Sequence, residues 1–443
     1  AMNVLAKAKD DSPLLPSGKT LNQFKQETIN YENGIGFASA AVGIFQDDDV
    51  IYEKYFGKTD IENNIMADEN SVYEWGSITK TLVWVSVLQL WEQGRIDLEK
   101  DVKEYLPEGF FQHLSYDEPI TMLNLMNHNG GWQESTSPIF NTDENEISSL
   151  FEELQKIEPV QVFRPGETSA YSNYGAAVAG YVVECITGQD FCEYVHENIF
   201  EPLGMEHTAL NPAHTDNDWV CEQRKKMKSY VNGLVQSELG SCLDYGTIYP
   251  AGAATGTLKD IITYAQALVN ADSPLFENSE TWEYMFTDTD FYGNTDIPKN
   301  AHGFWCTEYA VRTYGHSGGT TGYCTNMIFD LESKTGLVVL TNQQDENLFL
   351  TSAPNIVFGF LQPEKYASEP TDTVKLDGYY TPSRSLHSGI LKFASTLSTT
   401  HLDSFQPSSM NFLVVYFSFF SLTALRFSGL PKNPPWHSSI SRR

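Results

Sequence analysis

The pattern of apolar and polar positions divides the chain into β-rich outer parts and a helical middle. Residues 19–30 read as a first helix ending near Asn33-Gly34. Two runs rich in apolar and aromatic residues follow, 36–45 and 50–56, and the acidic turn Asp47-Asp48-Asp49 between them predicts a hairpin. Over 77–94, Leu82, Val83, Val85, Val87, Leu88 and Leu90 make a strongly buried helix. Further helices are expected over 120–127, 144–155, 175–187 and 258–270. In the last of these, Thr257 and Asp260 resemble a capping box. Strand character returns at 303–309, 323–329 and 336–340, followed by a short helix over 353–361. Strands from both ends around a helical middle predict an α+β plan, an antiparallel sheet flanked by helices with a mostly helical second region.

Composition changes this picture in one place. From Arg384 onward the only acidic residue is Asp403, serine is abundant, and 412–425 is a mostly apolar run. That run falls short of the roughly 20 residues of a membrane span, so membrane association stays open. A truncated membrane segment, a buried helix and unrelated sequence all fit it. Residues 1–365 therefore read as one domain, and 366–443 as linker and tail.

Charge excludes some partners. The chain carries 28 Lys and Arg against 58 Asp and Glu, a formal net charge of −30. Such a surface repels nucleic acid and anionic lipid, which leaves a small molecule or peptide as the expected partner. The six cysteines, at 185, 192, 221, 242, 306 and 324, form no CxxC pair. Neither a zinc site nor a redox motif is indicated; free buried thiols are expected, with one structural bridge left open. No metal or cofactor is expected. Ala1 ahead of Met2 reads as a cloning remnant, and no signal peptide opens the chain.

Three short motifs carry candidate chemistry. Ser77-Ile78-Thr79-Lys80 stands at the start of the apolar helix, so Lys80 can lie on one face with Ser77. A serine hydroxyl is a poor nucleophile until a neighbouring base takes its proton. The second motif, Tyr171-Ser172-Asn173, sits between Arg164-Pro165-Gly166 and the helix near Gly175. Beside a lysine ammonium the Tyr171 phenolate is favoured and can accept the serine proton. Asn173 offers a donor and an acceptor to a substrate amide. The third, His316-Ser317-Gly318-Gly319, leads through Thr320-Thr321-Gly322 into the strand at 323–329. Its glycines admit a substrate close to the backbone, and the Gly319 N–H can face an oxyanion. Alone, each motif also fits ordinary structure: a helix start, a turn, a glycine-rich loop. Lys334-Thr335-Gly336 matches a KTG box by letter but lies where a hairpin turn is expected.

Taken in order, these motifs resemble the serine β-lactamase-like superfamily, which includes class C β-lactamases, D-alanyl-D-alanine carboxypeptidases and related esterases. The resemblance covers about 22–361. Leu125-Met126-Asn127-His128-Asn129-Gly130-Gly131, Glu184-Cys185-Ile186-Thr187-Gly188 and Pro202-Leu203-Gly204-Met205 support it. It implies Ser77 as nucleophile, Lys80 and Tyr171 as proton-transfer partners, and substrate contacts from Asn173, Ser317, Gly318 and Gly319. It further implies an oxyanion hole from the Ser77 and Gly319 N–H groups, and His316 in the place of the usual lysine. That histidine is similar to D-amino-acid-directed peptidases more than to class C β-lactamases. An unperturbed histidine titrates near 6.5, so an ionisation near neutral pH is expected from His316. An extracytoplasmic location is also implied. Leu376-Asp377-Gly378-Tyr379-Tyr380 is similar to the opening of a small β-domain. Peptidase, esterase, β-lactamase and non-turnover sensor readings share the same nucleophile and remain open at this point.

Overall fold

The computed structural model describes residues 11–360 except 136, 232–236, 294 and 345, together with 378–380, 383–384 and 400–402. The sequence expectations for 412–425 lie outside the described residues. Nine strands form one antiparallel sheet: β1 (Ser39–Gln46), β2 (Asp49–Asp60), β3 (Ile65–Met66), β4 (Asp290–Phe291), β5 (Pro298–Ala301), β6 (Phe304–Glu308), β7 (Arg312–Gly319), β8 (Cys324–Asp330) and β9 (Thr335–Thr341). Their spatial order is β4-β5-β6-β7-β8-β9-β1-β2-β3. The strands from the two ends of the chain meet where β1 pairs with β9, from Ala40 opposite Thr341 to Gln46 opposite Thr335.

Period-two alternation assigns the two faces of this seam. Val42, Ile44, Leu337 and Val339 point into a smaller core with Phe24, Phe349 and Val357. Those partners come from α1 (Leu21–Gly34) and from a helix late in the chain. Ala41, Phe45, Val338 and Leu340 point the other way, into the main core. The helices α2 (Lys80–Glu92), α3 (Asn173–Thr187) and α4 (Leu258–Val269) contribute to that main core, whereas α5 (Asn347–Phe358) lies with α1. Both faces of the central strands are therefore covered, which explains their continuous apolar runs.

Helix α2 is buried from Lys80 to Leu90 on all sides, as its lack of a polar stripe requires. Elsewhere capping moved the expected boundaries. The helix expected over 144–155 is Leu150–Ile157, opened by a reciprocal Ser149–Glu152 capping box, and Glu144–Glu146 is a separate 3₁₀ turn. At α4, Thr257 caps Asp260 N–H, but the Asp260 carboxylate instead accepts from His207 N–H at 2.7 Å and Thr208 Oγ1 at 2.8 Å. That cap is one-sided, not a box.

The third motif differs more. His316-Ser317-Gly318-Gly319 is no loop before a strand: it is the end of β7, paired on one side with β8 from His316 opposite Met327 to Gly319 opposite Cys324. Pairing with β8 overrides the low strand preference of glycine at 318 and 319. Lys334 lies in the β8–β9 turn at φ 50° and reaches the exposed Asp47 at 2.9 Å, as its reading as a turn required. All six cysteines are free thiols. Gly378–Tyr380 pairs with Thr400–Leu402 as a short antiparallel ribbon.

Phe349 is 1% exposed and packs edge-on against Phe37 at 5.0 Å. Phe349→Ala is expected to cost about 3–5 kcal/mol in urea unfolding, as truncated core aromatics do. Lys334→Ala, which removes only an exposed ion pair, leaves the unfolding midpoint unchanged in the same experiment.

Candidate active site

The chain enters α2 through a 3₁₀ turn, Gly76–Thr79. Side chains three apart eclipse in such a turn, and Lys80 Nζ accordingly lies 3.0 Å from Ser77 Oγ. Lys80 is fully buried, and its other partner is the Ala251 carbonyl, which accepts from it. Burial, reinforced by the Arg384 guanidinium and opposed by Glu134, holds the amine well below the usual lysine range. A neutral amine that donates to Ala251 keeps its lone pair for the Ser77 proton.

The end of β7 is pressed against this turn. A methyl group on Gly318 would sit 1.9 Å from the Trp75 carbonyl oxygen, and one on Gly76 would sit 2.6 Å from Gly319 N. Gly76 also has φ +54°, where side chains are strained. Thr325 on β8 fastens the arrangement by donating to the Trp75 carbonyl at 2.9 Å. The absence of Cβ atoms at 76 and 318 thus lets the backbone of Gly319 approach Gly76, the residue before Ser77.

Tyr171 stands over Lys80, whose Nζ is 5.0 Å from the ring centroid. Its hydroxyl is fully covered and interacts with Ser77. Burial raises its pKa, which Ser77 and Arg384 only partly offset, so the phenol keeps its proton. The sequence reading gave Tyr171 a phenolate; desolvation reverses that, and Lys80 is the group whose basic form is accessible.

His316 lies in a layer of rings with His128, Tyr171 and Trp305. Its Nδ1 is 2.6 Å from the Ser317 carbonyl oxygen, and its Nε2 accepts from Trp305 Nε1 at 3.2 Å. Both ring nitrogens are thus committed to a neutral tautomer. Burial, with Lys80 nearby, pushes its pKa down to about 3. The expected ionisation near neutrality is therefore absent from His316. Asn173 opens α3 behind its Ser172 cap and makes no side-chain hydrogen bond among the described residues, while Ser317, Gly318 and Gly319 follow His316 along β7.

A family profile described as Beta-lactamase matches residues 26–357. The chain belongs to the β-lactamase family. It is a serine hydrolase by that membership. It is 25% identical over 347 residues to a penicillin-binding protein of Bacillus subtilis (strain 168), covering 74% of this chain and 73% of that one. It is 24% identical over 404 residues to a putative D-alanyl-D-alanine carboxypeptidase of Escherichia coli (strain K12), covering 79% and 90%. In fold it is similar to a D-amino acid amidase from Ochrobactrum anthropi SV3 solved with L-phenylalanine amide. That match has a TM-score of 0.60 and 19% identity, and covers 76% of this chain and 96% of the other.

Within this β-lactamase-family site, sequence reasoning missed three contributors. Trp305 sat inside a predicted strand, and only the β6–β7 register, Trp305 opposite Gly315, brings its indole to His316. Glu134 carried no signal. Arg384 read only as the point where composition breaks within the 366–443 linker and tail, yet it pairs with Glu134 and lies 5.0 Å over the Tyr171 ring. Cys192, His196 and Asp216 cluster with their ligand atoms within 4.8 Å. Asp216 already accepts from Leu210 N–H at 2.6 Å and pairs with His196 at 2.8 Å, and burial pushes the Cys192 thiol up, away from the thiolate a metal needs. That cluster is a hydrogen-bonded knot between loop and helix.

Gly318→Ala is expected to force β7 away from the Gly76–Thr79 turn. Labelling of Ser77 by a fluorophosphonate should slow about a hundredfold or more, while circular dichroism retains the native sheet signal.

Proposed function

We propose that Ser77 forms an acyl-enzyme with D-amino-acid peptides, amides or esters. The observation that carries this reading is the 3.0 Å approach of Ser77 Oγ to an amine that burial keeps basic but unprotonated. In the proposed sequence Ser77 Oγ attacks the acyl carbon as its proton passes to Lys80 Nζ. The oxyanion accepts from the Ser77 and Gly319 N–H groups. The leaving group takes a proton through Lys80 or the protonated Tyr171, and water then breaks the ester bond to Ser77. Asn173 would hold the substrate amide. The Trp305-bound, neutral His316 would shape the cleft wall and hold it uncharged. The D-amino-acid preference is supported by the histidine of the third motif. An extracytoplasmic location belongs to the same reading. No helix among the described residues is long and apolar enough to cross a membrane.

Intact-protein mass after exposure to a fluorophosphonate, a penicillin, a p-nitrophenyl ester and a D-alanyl anilide tests the proposal. One adduct per chain, absent in a folded Ser77→Ala variant, is the expected result, and an adduct that survives in that variant overturns it. Turnover of the anilide marks a peptidase, turnover of the ester alone an esterase, and a lasting adduct without turnover a sensor.

The pH dependence follows from Lys80. A base must be neutral to act, so activity falls as pH drops through the lowered Lys80 pKa and persists above it. With a neutral ester, kcat/KM against pH should show this rising limb. His316→Gln should retain it, because His316 with a pKa of about 3 does not titrate in that range. Lys80→Arg should remove the limb and lower the rate about 10²–10⁴-fold, the usual worth of a general base.

A further inference from the structure

Two charged groups, Glu134 and Arg384, stand by Tyr171 and Lys80 without taking or giving a proton in the proposed acyl transfer. The Glu134 carboxylate follows the loop Gly130-Gly131-Trp132-Gln133 and accepts from Ser135 N–H at 3.2 Å. Its ion-pair partner among the described residues is Arg384, through Nε. The Arg384 guanidinium also lies 5.0 Å over the Tyr171 ring, on which Lys80 Nζ is centred at the same distance. Both members of the pair are largely covered, at 22% and 28% exposure. Next to it, Ser383 Oγ donates to the Ser169 carbonyl at 2.7 Å. Ser169 is in turn fixed by Lys299 at 2.6 Å and Asp290 at 2.8 Å, two residues ahead of Tyr171. The guanidinium is near enough to Lys80 to push its pKa further down.

A carboxylate beside an aromatic face is a recognition site for cations, combining charge-assisted hydrogen bonding with attraction to the ring. We propose that Glu134 and the face of Tyr171 form a subsite for a cationic group of the substrate, an ammonium or guanidinium, and that Arg384 occupies it as a tethered competitor. The inference rests on the acyl-transfer reading of Ser77 and adds a substrate class to it: acyl donors with a free amino or guanidino group next to the reacting carbonyl. The net charge of −30 acts in the same sense, drawing cations to the surface. A tethered occupant weakens apparent affinity by the fraction of time it fills the subsite, so an entering cation must displace Arg384. A cation that does so restores the field that helps keep Lys80 neutral.

The test measures how two small amides protect Ser77 from a neutral fluorophosphonate at pH 7. D-Alaninamide carries the ammonium; N-acetyl-D-alaninamide lacks it. Wild type should be protected better by the former. In Glu134→Gln the ratio of the two inhibition constants should fall at least about tenfold, the loss expected for one ion pair in a covered site. In Arg384→Ala the constant for D-alaninamide should improve at least about fivefold, because the competitor is gone. If Ser77 takes up no phosphonate even without amide, the acyl-transfer reading fails. If it does, but the ratio is the same in wild type and Glu134→Gln, the subsite is overturned and the chemistry stands. Should Glu134→Gln not fold, an unchanged D-alaninamide constant in Arg384→Ala overturns the proposal by itself.

Discussion

A lysine amine fully buried beneath the surface is the condition on which the rest of the site depends. An ammonium left in an apolar interior without an anion costs many kcal/mol, and such a group sheds its proton instead. Lys80 meets this condition because α2 is buried on every side and because the Ala251 carbonyl, the Ser77 hydroxyl and the face of Tyr171 surround its amine. The helix that looked like generic core is thus what sets the protonation state of the amine beside the hydroxyl. The same desolvation acts in the opposite direction on Tyr171, which it keeps protonated as a phenol, and in the same direction as on Lys80 on His316, which it keeps neutral. One buried environment therefore separates a base from a potential acid, with desolvation the largest cause at both and Arg384 and Glu134 adding smaller effects.

The parts of this arrangement that were legible in the sequence are those written locally. Ser77 and Lys80 lie one turn apart, and the apolar run after them could only be a buried helix. The β1–β2 hairpin and the β8–β9 turn followed from alternation and from Asp47-Asp48-Asp49 and Lys334. The Tyr171 and His316 protonation states were misread because an unperturbed pKa says nothing about burial, and burial is a property of the packed core. β7 was half hidden, since Gly315, Gly318 and Gly319 weaken any strand signal that its neighbours later impose. The strands β4 and β5 are short and polar, and no period betrays them. Glu134, Trp305 and Arg384 come to the site by tertiary contact alone, from a loop, a neighbouring strand and a residue at a break in composition.

His316 illustrates how one position can keep its place and change its chemistry. A lysine there would bring a second cation toward Lys80, whereas the imidazole, held between the Ser317 carbonyl and the Trp305 indole, brings none. The cleft wall is then aromatic and uncharged on that side, and Glu134 with Arg384 lies at the Tyr171 face. Such asymmetry of charge across a narrow site is a means of orienting a substrate before any bond is made.

The seam between Trp75 and Thr325 has a consequence for how the molecule comes into being. That hydrogen bond joins residues 250 positions apart, and it clamps the two strips of backbone between which the reacting carbonyl would sit. Loop closure over such a span is slow and follows more local structure. A nascent chain that has formed α2 already owns the serine and the lysine but neither the glycine strand nor the enclosure that dries the amine. The serine and lysine are thus local to one turn, whereas the backbone that faces them arrives only with β7 and β8, from the far end of the domain.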